Sequence, residues 1–223
     1  MCGIIGYVGD IDAKKAIVDG LQTLEYRGYD SAGIAYFHKG TIETIKTVGK
    51  VSALRELVKK QAAAGDSSCG IGHTRWATHG GVSHTNAHPH TAGKVTLIHN
   101  GIIENYQELQ EKLAKKGKSP VSQTDTEIAA MVMDDCYHGD PEAAIREAVS
   151  KFTGAYGFCI MFSDIPDTIY AIRNASPLVA AHTDKGSIIA SDVVALVNHT
   201  KHYFVLKENH LAKLTKEEII VKK

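Results

Sequence analysis

The chain has 223 residues, 43% hydrophobic and 22% charged, a composition typical of a folded domain with a substantial core. Its 25 acidic and 25 basic residues balance, which argues against a nucleic-acid-binding protein because such proteins carry a basic surface. With no apolar run of the roughly 18–20 residues that span a bilayer, no secretory signal and no Cys-x-x-Cys pair, we expect one domain, residues 1–223, in the cytoplasm.

The first half of the chain predicts strands and helices in mixed order. Helical spacing of apolar residues predicts two helices, over residues 12–25 and over 51–63, the second ending near Gly65. Short apolar or alternating segments predict strands at residues 2–8, 31–37, 41–48, 69–75 and 95–99. Lys39-Gly40 should form a hairpin turn, and Asn100-Gly101 is a strong turn dipeptide after a strand.

The second half predicts a group of helices followed by a group of strands. Asn105 can cap a helix that runs to about Lys116, and Thr124 and Glu127 form a capping box for the next helix. That helix should turn Ile128, Met131 and Val132 inward, and a further helix should follow Pro141. Strands are then expected at residues 158–162, 168–173, 178–182, 187–190, 203–206, 210–214 and 219–221. Two strand-rich blocks with helices between them indicate an α+β layered sandwich, whose layer order the pattern leaves open.

The second residue of the chain is a cysteine. If Met1 is removed after synthesis, Cys2 carries both a thiol and a free α-amine. An α-amine titrates near pH 7.7–8.0, so it can serve as a general base beside its own nucleophile. The alternative is that Cys2 is an ordinary buried thiol.

Three further positions offer the groups that attack on a carboxamide requires. Asn100 and Gly101 can supply a side-chain amide and a close backbone N–H to a tetrahedral oxyanion, although a plain hairpin turn is the alternative. Arg75 can hold a carboxylate with two hydrogen bonds; otherwise it is a surface arginine. Asp125 can pair with an ammonium group, complement a helix dipole, or do both.

The aromatic and histidine content raises two other questions. Trp76 is the only tryptophan, and we expect most of its surface to be buried. Six of the twelve histidines lie between His73 and His99, and histidine-rich tracts can bind zinc. Because the spacing of a zinc site is missing, we expect no metal and no cofactor, and assign these side chains to hydrogen bonds in loops.

Seven segments together resemble the class II, or N-terminal-nucleophile, glutamine amidotransferases, and among them the glutaminase domains of glutamine–fructose-6-phosphate aminotransferases. The segments are Met1 to Ile4, Leu24 to Gly33, His73 to Gly80, Asn86 to His90, His99 to Asn105, Thr124 to Glu127 and Gly154 to Gly157. The resemblance extends over essentially all of the chain. It implies a four-layer αββα sandwich.

The resemblance also implies a role for each matching residue. Cys2 would be the nucleophile, with its α-amine as base, and Asn100 with Gly101 would form the oxyanion hole. Arg75 would hold the α-carboxylate of glutamine and Asp125 its α-amine. The other matching residues would close over glutamine or lie near the site with less defined roles: Trp76, Thr78 and His79 in a loop, and Arg27 and His88 beside it.

The activity implied is hydrolysis of L-glutamine, with the ammonia passed to a C-terminal domain that isomerises and aminates fructose 6-phosphate. That isomerase domain is absent from this sequence, so we expect it as a partner, together with a homodimer formed through it. Two alternatives stay open: another class II amidotransferase, such as that of purine synthesis or asparagine synthetase, and a non-catalytic glutamine-binding module if Met1 is retained. No nucleic-acid or membrane partner is expected.

Overall fold

Two antiparallel β-sheets lie face to face in this protein. The computed structural model describes residues 2–61 and 67–223. Seven strands of the described residues form the first sheet, in the order β11-β9-β10-β1-β4-β2-β3: β1 Gly3–Gly9, β2 Ser31–His38, β3 Thr41–Val48, β4 Cys69–Arg75, β9 Val179–Thr183, β10 Gly186–Ala190 and β11 Phe204–Val205. Six form the second, in the order β13-β12-β8-β7-β6-β5: β5 His90–Ala92, β6 Val95–Ile103, β7 Gly154–Phe162, β8 Ile165–Asn174, β12 Leu211–Leu214 and β13 Ile219–Lys222.

Helices cover the outer face of each sheet. Their bounds are α1 Ala13–Leu24, α2 Val51–Gln61, α3 Tyr106–Ala114, α4 Asp125–Asp135 and α5 Pro141–Val149, with short 3-10 helices at Glu25–Arg27 and Val193–Ala195. No helix in the described ranges is long and apolar enough to cross a membrane.

Three apolar clusters define the layers. Between the sheets, Ile4 and Ile71 of the first sheet pack with Ile98 and Ile169 of the second, all without solvent exposure. Helices α1 and α2 bury their apolar faces on the outside of the first sheet, and α3, α4 and α5 bury theirs on the outside of the second. Burial of these apolar surfaces is the main favourable term for folding, and it produces the αββα order of layers.

Most of the predicted elements are present, and the helix pattern is confirmed. Helix α4 buries Ile128, Met131 and Val132 as expected. The Lys39-Gly40 turn joins β2 to β3, and both of its residues have positive φ angles, of 48° and 82°. The expected end of the second helix near Gly65 lies outside the described residues.

One local prediction was wrong and another holds only in part, because long-range contacts take over: the Asn100-Gly101 turn does not form, and Asn105 is the N-cap residue of α3 but makes no capping hydrogen bond with its side chain. Asn100 and Gly101 do not form a turn: they continue β6 and pair with Gly157 and Tyr156 of β7. Asn105 precedes α3, but its side chain bridges to another segment, donating to the carbonyl of Lys151 and accepting from the N–H of Thr153.

The capping box at α4 forms only in part. The Thr124 hydroxyl accepts from the N–H of Glu127 at 3.2 Å, as predicted. The Glu127 carboxylate instead accepts from the N–H groups of Val121 and Ser122, since the preceding loop folds back onto it. The start of α4 is therefore fixed at the edge of the cavity described next.

Candidate active site

A cavity of about 350 Å³ brings together all ten residues that the sequence singled out. They are Cys2, Arg27, Arg75, Trp76, Thr78, His79, His88, Asn100, Gly101 and Asp125. Residues to which the sequence assigned no role in the site complete the lining: His99, Ile102, Thr124, Thr126, Ser176, Pro177 and Ser191. The cavity therefore combines one thiol with carboxylate, guanidinium and amide groups on a scaffold of strands.

The backbone next to Cys2 is held by two hydroxyl groups. The N–H of Gly3 donates to the Thr74 hydroxyl at 3.1 Å, and the N–H of Ile4 donates to the Ser191 hydroxyl at 2.9 Å. Both acceptors are buried in neighbouring segments. Cys2 is thereby positioned at the mouth of the cavity, at the start of β1.

The Cys2 thiol is half-buried and accepts a hydrogen bond from the loop after β4. Its Sγ accepts from the backbone N–H of Trp76 at 3.2 Å. Burial raises the pKa of the Cys2 thiol above its ordinary value, and the Trp76 hydrogen bond and the nearby Arg75 charge offset this only in part. The thiol is therefore protonated near neutral pH, and nucleophilic attack requires a base to remove its proton.

Asn100 lies beside Cys2 on β6. Its Nδ2 donates to the backbone carbonyl of Cys2 at 3.1 Å, and its Oδ1 is 3.0 Å from Nε2 of His73. The next residue, Gly101, has a φ of +117°, and a Cβ there would collide with the carbonyl oxygen of Ala155. Only glycine fits this backbone without strain, so Gly101 is required by the path of β6 rather than by a turn.

Arg75 ends β4 and is buried below the loop that follows it. Its guanidinium donates to the carbonyl of Gly81 at 3.1 Å, to that of Gly80 at 3.3 Å and to that of His79. One side chain thus fixes the loop and also presents positive charge to the cavity.

Asp125 is the first residue of α4 and is only 5% exposed. Its Oδ2 accepts from the N–H of Ile103 at 2.8 Å. His99 Nδ1 lies 3.9 Å from the same oxygen and 3.0 Å from the Thr126 hydroxyl. Burial lowers the pKa of His99, so this ring is neutral and does not cancel the negative charge of the carboxylate.

Trp76 is more exposed than expected, and the prediction that most of it is buried was wrong. It is 55% exposed, because it lies in the loop after β4 rather than in the core. Its ring covers Gly28, where an added Cβ would lie 2.9 Å from the ring. The neighbouring Arg27 donates to Asp192 Oδ2 at 3.0 Å and to the carbonyl of Ser191 at 3.3 Å. These contacts form one rim of the cavity.

Asp30 and His73 lie within the matching segments, but neither was assigned a role from the sequence. The Asp30 carboxylate accepts from the N–H of Ala77 and from the Ser31 hydroxyl, and its own N–H donates to the carbonyl of Arg75 at 2.7 Å. Asp30 therefore holds the start of the loop that contains Trp76. A signal for it was available: an acidic residue directly before a buried strand and after the Gly28 turn.

The buried histidines are arranged as a stack rather than as a metal site. His73 lies against His88 with ring centroids 4.0 Å apart, and His90 meets His88 edge-on at 5.1 Å. Burial lowers the pKa of both His73 and His90 to about 3. Across residues 2–61 and 67–223, no group of three or more histidine, cysteine or acidic side chains could hold a metal ion.

Comparison with known proteins identifies the family. A sequence model described as "Glutamine amidotransferase domain" matches residues 73–198, more than half of the chain. The chain belongs to this family. Curated relatives named "Glutamine--fructose-6-phosphate aminotransferase [isomerizing]" confirm the closer resemblance: the Clostridium tetani protein is 44% identical and the Thermus thermophilus protein 46% identical, each over 221 residues. Each match covers 98% of this chain but only 36% of the relative's length.

Solved structures confirm the fold. The glutamine phosphoribosylpyrophosphate amidotransferase from B. subtilis superposes with a TM-score of 0.84 at 23% identity, covering 100% of this chain and 49% of that one. A structure titled as the allosteric regulatory enzyme of purine biosynthesis gives a TM-score of 0.87 at 23% identity, with the same coverage. This glutamine amidotransferase domain therefore has the αββα fold of the N-terminal-nucleophile type, as the sequence resemblance implied.

Proposed function

We propose that this domain hydrolyses L-glutamine to glutamate and ammonia, with Cys2 as the nucleophile. The observation that carries the proposal is the shared cavity: the Cys2 thiol, the Asn100 amide, the Arg75 guanidinium and the Asp125 carboxylate all line it. These four groups match the four chemical needs of the substrate: attack on its side-chain amide, stabilisation of the oxyanion, and pairing with its α-carboxylate and its α-amine.

Glutamine would bind through its two charged ends. The α-carboxylate would pair with Arg75, whose planar guanidinium suits two parallel hydrogen bonds. The α-amine would pair with the Asp125 carboxylate, whose Oδ2 lies 3.9 Å from His99 Nδ1. Trp76, Thr78 and His79 would cover the bound glutamine, because they lie in the loop after β4. This loop contacts Cys2 Sγ through the N–H of Trp76 and Arg75 through the carbonyl of Gly81. Arg27 and His88 would support this lining from the sides.

The reaction would then proceed in two steps. The α-amine of Cys2, exposed once Met1 is removed, takes the thiol proton; Sγ attacks the side-chain carbonyl carbon of glutamine, and the oxyanion is held by Asn100 and the Gly101 N–H. The amide nitrogen receives the proton from the amine and leaves as ammonia. The acyl group stays on Cys2 Sγ as a γ-glutamyl thioester. Water, deprotonated by the same amine, attacks the thioester, and glutamate leaves as the Cys2 thiol is restored.

We further propose a role for this domain in a longer enzyme. The chain spans about a third of the length of the curated relatives it matches, and those relatives are named as fructose-6-phosphate aminotransferases. In such an enzyme the ammonia would pass to a C-terminal isomerase domain that converts fructose 6-phosphate to glucosamine 6-phosphate. Residues 1–223 would act as one domain, homodimerisation would occur through the C-terminal part, and the enzyme would work in the cytoplasm without metal or cofactor.

The test is release of glutamate and ammonia from glutamine by the chain with Cys2 at its N-terminus. The Cys2→Ala variant should lose glutamate production while keeping its fold. Cys136→Ala is the matched control and should keep wild-type turnover. The Cys136 thiol is buried in the apolar cluster between the second sheet and its helices, outside the cavity. Binding of glutamine without any hydrolysis by the processed chain would leave only a glutamine-binding module.

A further inference from the structure

His73 connects the two sheets at the site. It lies on β4 of the first sheet, paired with Ile4 of β1 and Gly33 of β2. Its ring reaches across to β6 of the second sheet, where Nε2 lies 3.0 Å from Asn100 Oδ1. His73 has no solvent exposure and does not line the cavity. His73 therefore contacts Asn100, the proposed oxyanion donor, without lining the cavity itself.

The contacts of Asn100 determine which His73 nitrogen carries hydrogen. The backbone carbonyl of Cys2 can only accept, so the Asn100 amide must direct its NH2 group towards Cys2, where the distance is 3.1 Å. Its Oδ1 then faces His73, and Nε2 of His73 must be the donor. Because burial lowers the pKa of His73 to about 3, the ring is neutral and has a single N–H. Consistent with this, His73 Nδ1 has no hydrogen-bond partner within residues 2–61 and 67–223.

A second ring holds His73 in place. His88 stacks on His73 with an angle of 11° between the ring planes. The His88 backbone can approach because Gly33, the partner of His73 on β2, has no side chain; a Cβ there would collide with the His88 carbonyl oxygen. The orientation of the His73 ring is thus set by the packing of β2, β4 and the loop that contains His88.

We propose that His73 is a positioning residue that holds the Asn100 amide with Nδ2 directed to the oxyanion. This inference rests on the proposed glutaminase function. Without the Nε2–H donor the amide keeps only its contact with the Cys2 carbonyl, so it is held less firmly in this orientation, and a turn by 180° would bring Oδ1 to face the developing negative charge. Attraction would become repulsion in the transition state, while the groups that bind the two ends of glutamine would stay in place. The loss should therefore fall on kcat rather than on KM.

The test compares His73→Gln with His73→Met in the processed chain. These side chains have similar length and volume, but the glutamine amide can place an N–H near the position of Nε2 and methionine cannot. Removal of one oxyanion-hole donor costs roughly 100–1000-fold in kcat, so His73→Met should lose at least about tenfold in kcat with KM within about threefold. His73→Gln should recover most of that loss. Equal kcat values for the two variants, or a change confined to KM, would overturn the proposal.

Two further measurements separate positioning from misfolding. Methyl methanethiosulfonate reacts with a thiol without forming an oxyanion, so Cys2 in His73→Met should be modified at the wild-type rate; a parallel fall in that rate would contradict the proposal. If His73→Met does not fold, the ¹⁵N spectrum of the wild-type imidazoles decides: hydrogen on Nε2 of His73 from pH 5 to 8 is predicted, and hydrogen on Nδ1 would refute it. A wild-type chain that releases no glutamate would instead refute the glutaminase proposal, and the role of His73 with it.

Discussion

The backbone N–H of Trp76 donates a hydrogen bond to the Sγ of Cys2 over 3.2 Å, so the proposed nucleophile and the loop after β4 are in direct contact. The Asp30 carboxylate holds the next N–H of that loop, on Ala77. The start of the loop is therefore fixed by the residues that directly precede β1 and β2, while the Trp76 side chain stays half in solvent. Substrate that enters beneath this loop would reach the thiol directly, and closure over it would keep bulk water away while the thioester forms.

The charge of Asp125 should determine how well glutamine binds. Asp125→Asn keeps an oxygen that can accept from the N–H of Ile103 but loses the negative charge beside the α-amine. A hydrogen bond to a charged group contributes about 1.5–3 kcal/mol, so KM should rise about tenfold or more in steady-state glutaminase assays. Asp134→Asn, at the other end of α4 and outside the cavity, is the control and should leave KM unchanged. Equal KM values for both variants would remove Asp125 from substrate binding.

The forked shape of Arg75 should matter as well as its charge. Lysine at position 75 keeps the positive charge but cannot donate two parallel hydrogen bonds to a carboxylate, and it cannot reproduce the three contacts to the loop carbonyls. We expect Arg75→Lys to raise KM for glutamine by about tenfold or more, an effect of about 1.4 kcal/mol. Arg55→Lys changes an arginine that pairs with Asp19 outside the cavity, and it should bind glutamine normally. A KM within twofold of wild type for Arg75→Lys would contradict the assignment.

Replacement of Gly101 should disturb both stability and activity. The Cβ of alanine at position 101 would collide with the Ala155 carbonyl oxygen, and a φ near +117° is itself strained for alanine. Gly139→Ala is a matched control, since Gly139 has a φ of +97° but nothing within 4 Å of an added Cβ. A positive φ costs alanine about 1–3 kcal/mol at either position. The collision with the Ala155 carbonyl is specific to position 101, so urea unfolding should show Gly101→Ala less stable than Gly139→Ala, and only Gly101→Ala should lose glutaminase activity. Equal unfolding midpoints would show that β6 adapts to the methyl group.

The buried histidines predict loss of stability in mild acid. Burial lowers the pKa of His73 and His90 to about 3 in the folded state, against about 6.5 when unfolded. The unfolded chain thus binds more protons between these values, so stability is complete above pH 6.5 and falls as the pH is lowered towards 3. The slope should approach about 1.4 kcal/mol per pH unit for each such histidine.

Urea unfolding at pH 7, 6 and 5 checks this slope, and the range avoids most of the titration of carboxylates. His90→Gln can keep a polar contact to the Thr124 hydroxyl. It should reduce the dependence of the unfolding free energy on pH by about 1.4 kcal/mol per pH unit, the contribution of one buried histidine. His38→Gln, at the end of β2, is the control for removal of a histidine elsewhere. The same slope in all three proteins would mean that His90 is not buried in its neutral form.

Local sequence signals predicted what local contacts determine. The β2–β3 hairpin follows from two short β-forming segments and the two-residue turn between them, and α4 follows from its apolar face and Thr124. The Asn100-Gly101 turn was wrong because pairing with β7, more than 50 residues away along the chain, extends β6 through both residues. The three-residue strand β5 lay inside the histidine-rich loop and was missed, since so short a segment carries no periodicity.

The candidate site was predictable as a set of residues but not as a set of contacts. Resemblance to the family named all ten residues that now line one cavity. The contact between His73 and Asn100 could not be predicted, because it depends on how the two sheets face each other. The exposure of Trp76 was missed for a related reason: a lone tryptophan suggests a core, whereas this one lies in a loop fixed by Asp30.

The intact mass of the protein, before and after exposure to an electrophilic glutamine analogue, shows directly whether Cys2 is the nucleophile. We expect the chain without Met1 to gain one adduct, peptide mapping to place it on Cys2, and excess glutamine to slow its formation. The buried thiols of Cys69, Cys136 and Cys159 should remain unmodified. A processed chain with Cys2 at its N-terminus that gains no adduct, or gains one on another cysteine, would contradict Cys2 as the nucleophile of a glutaminase.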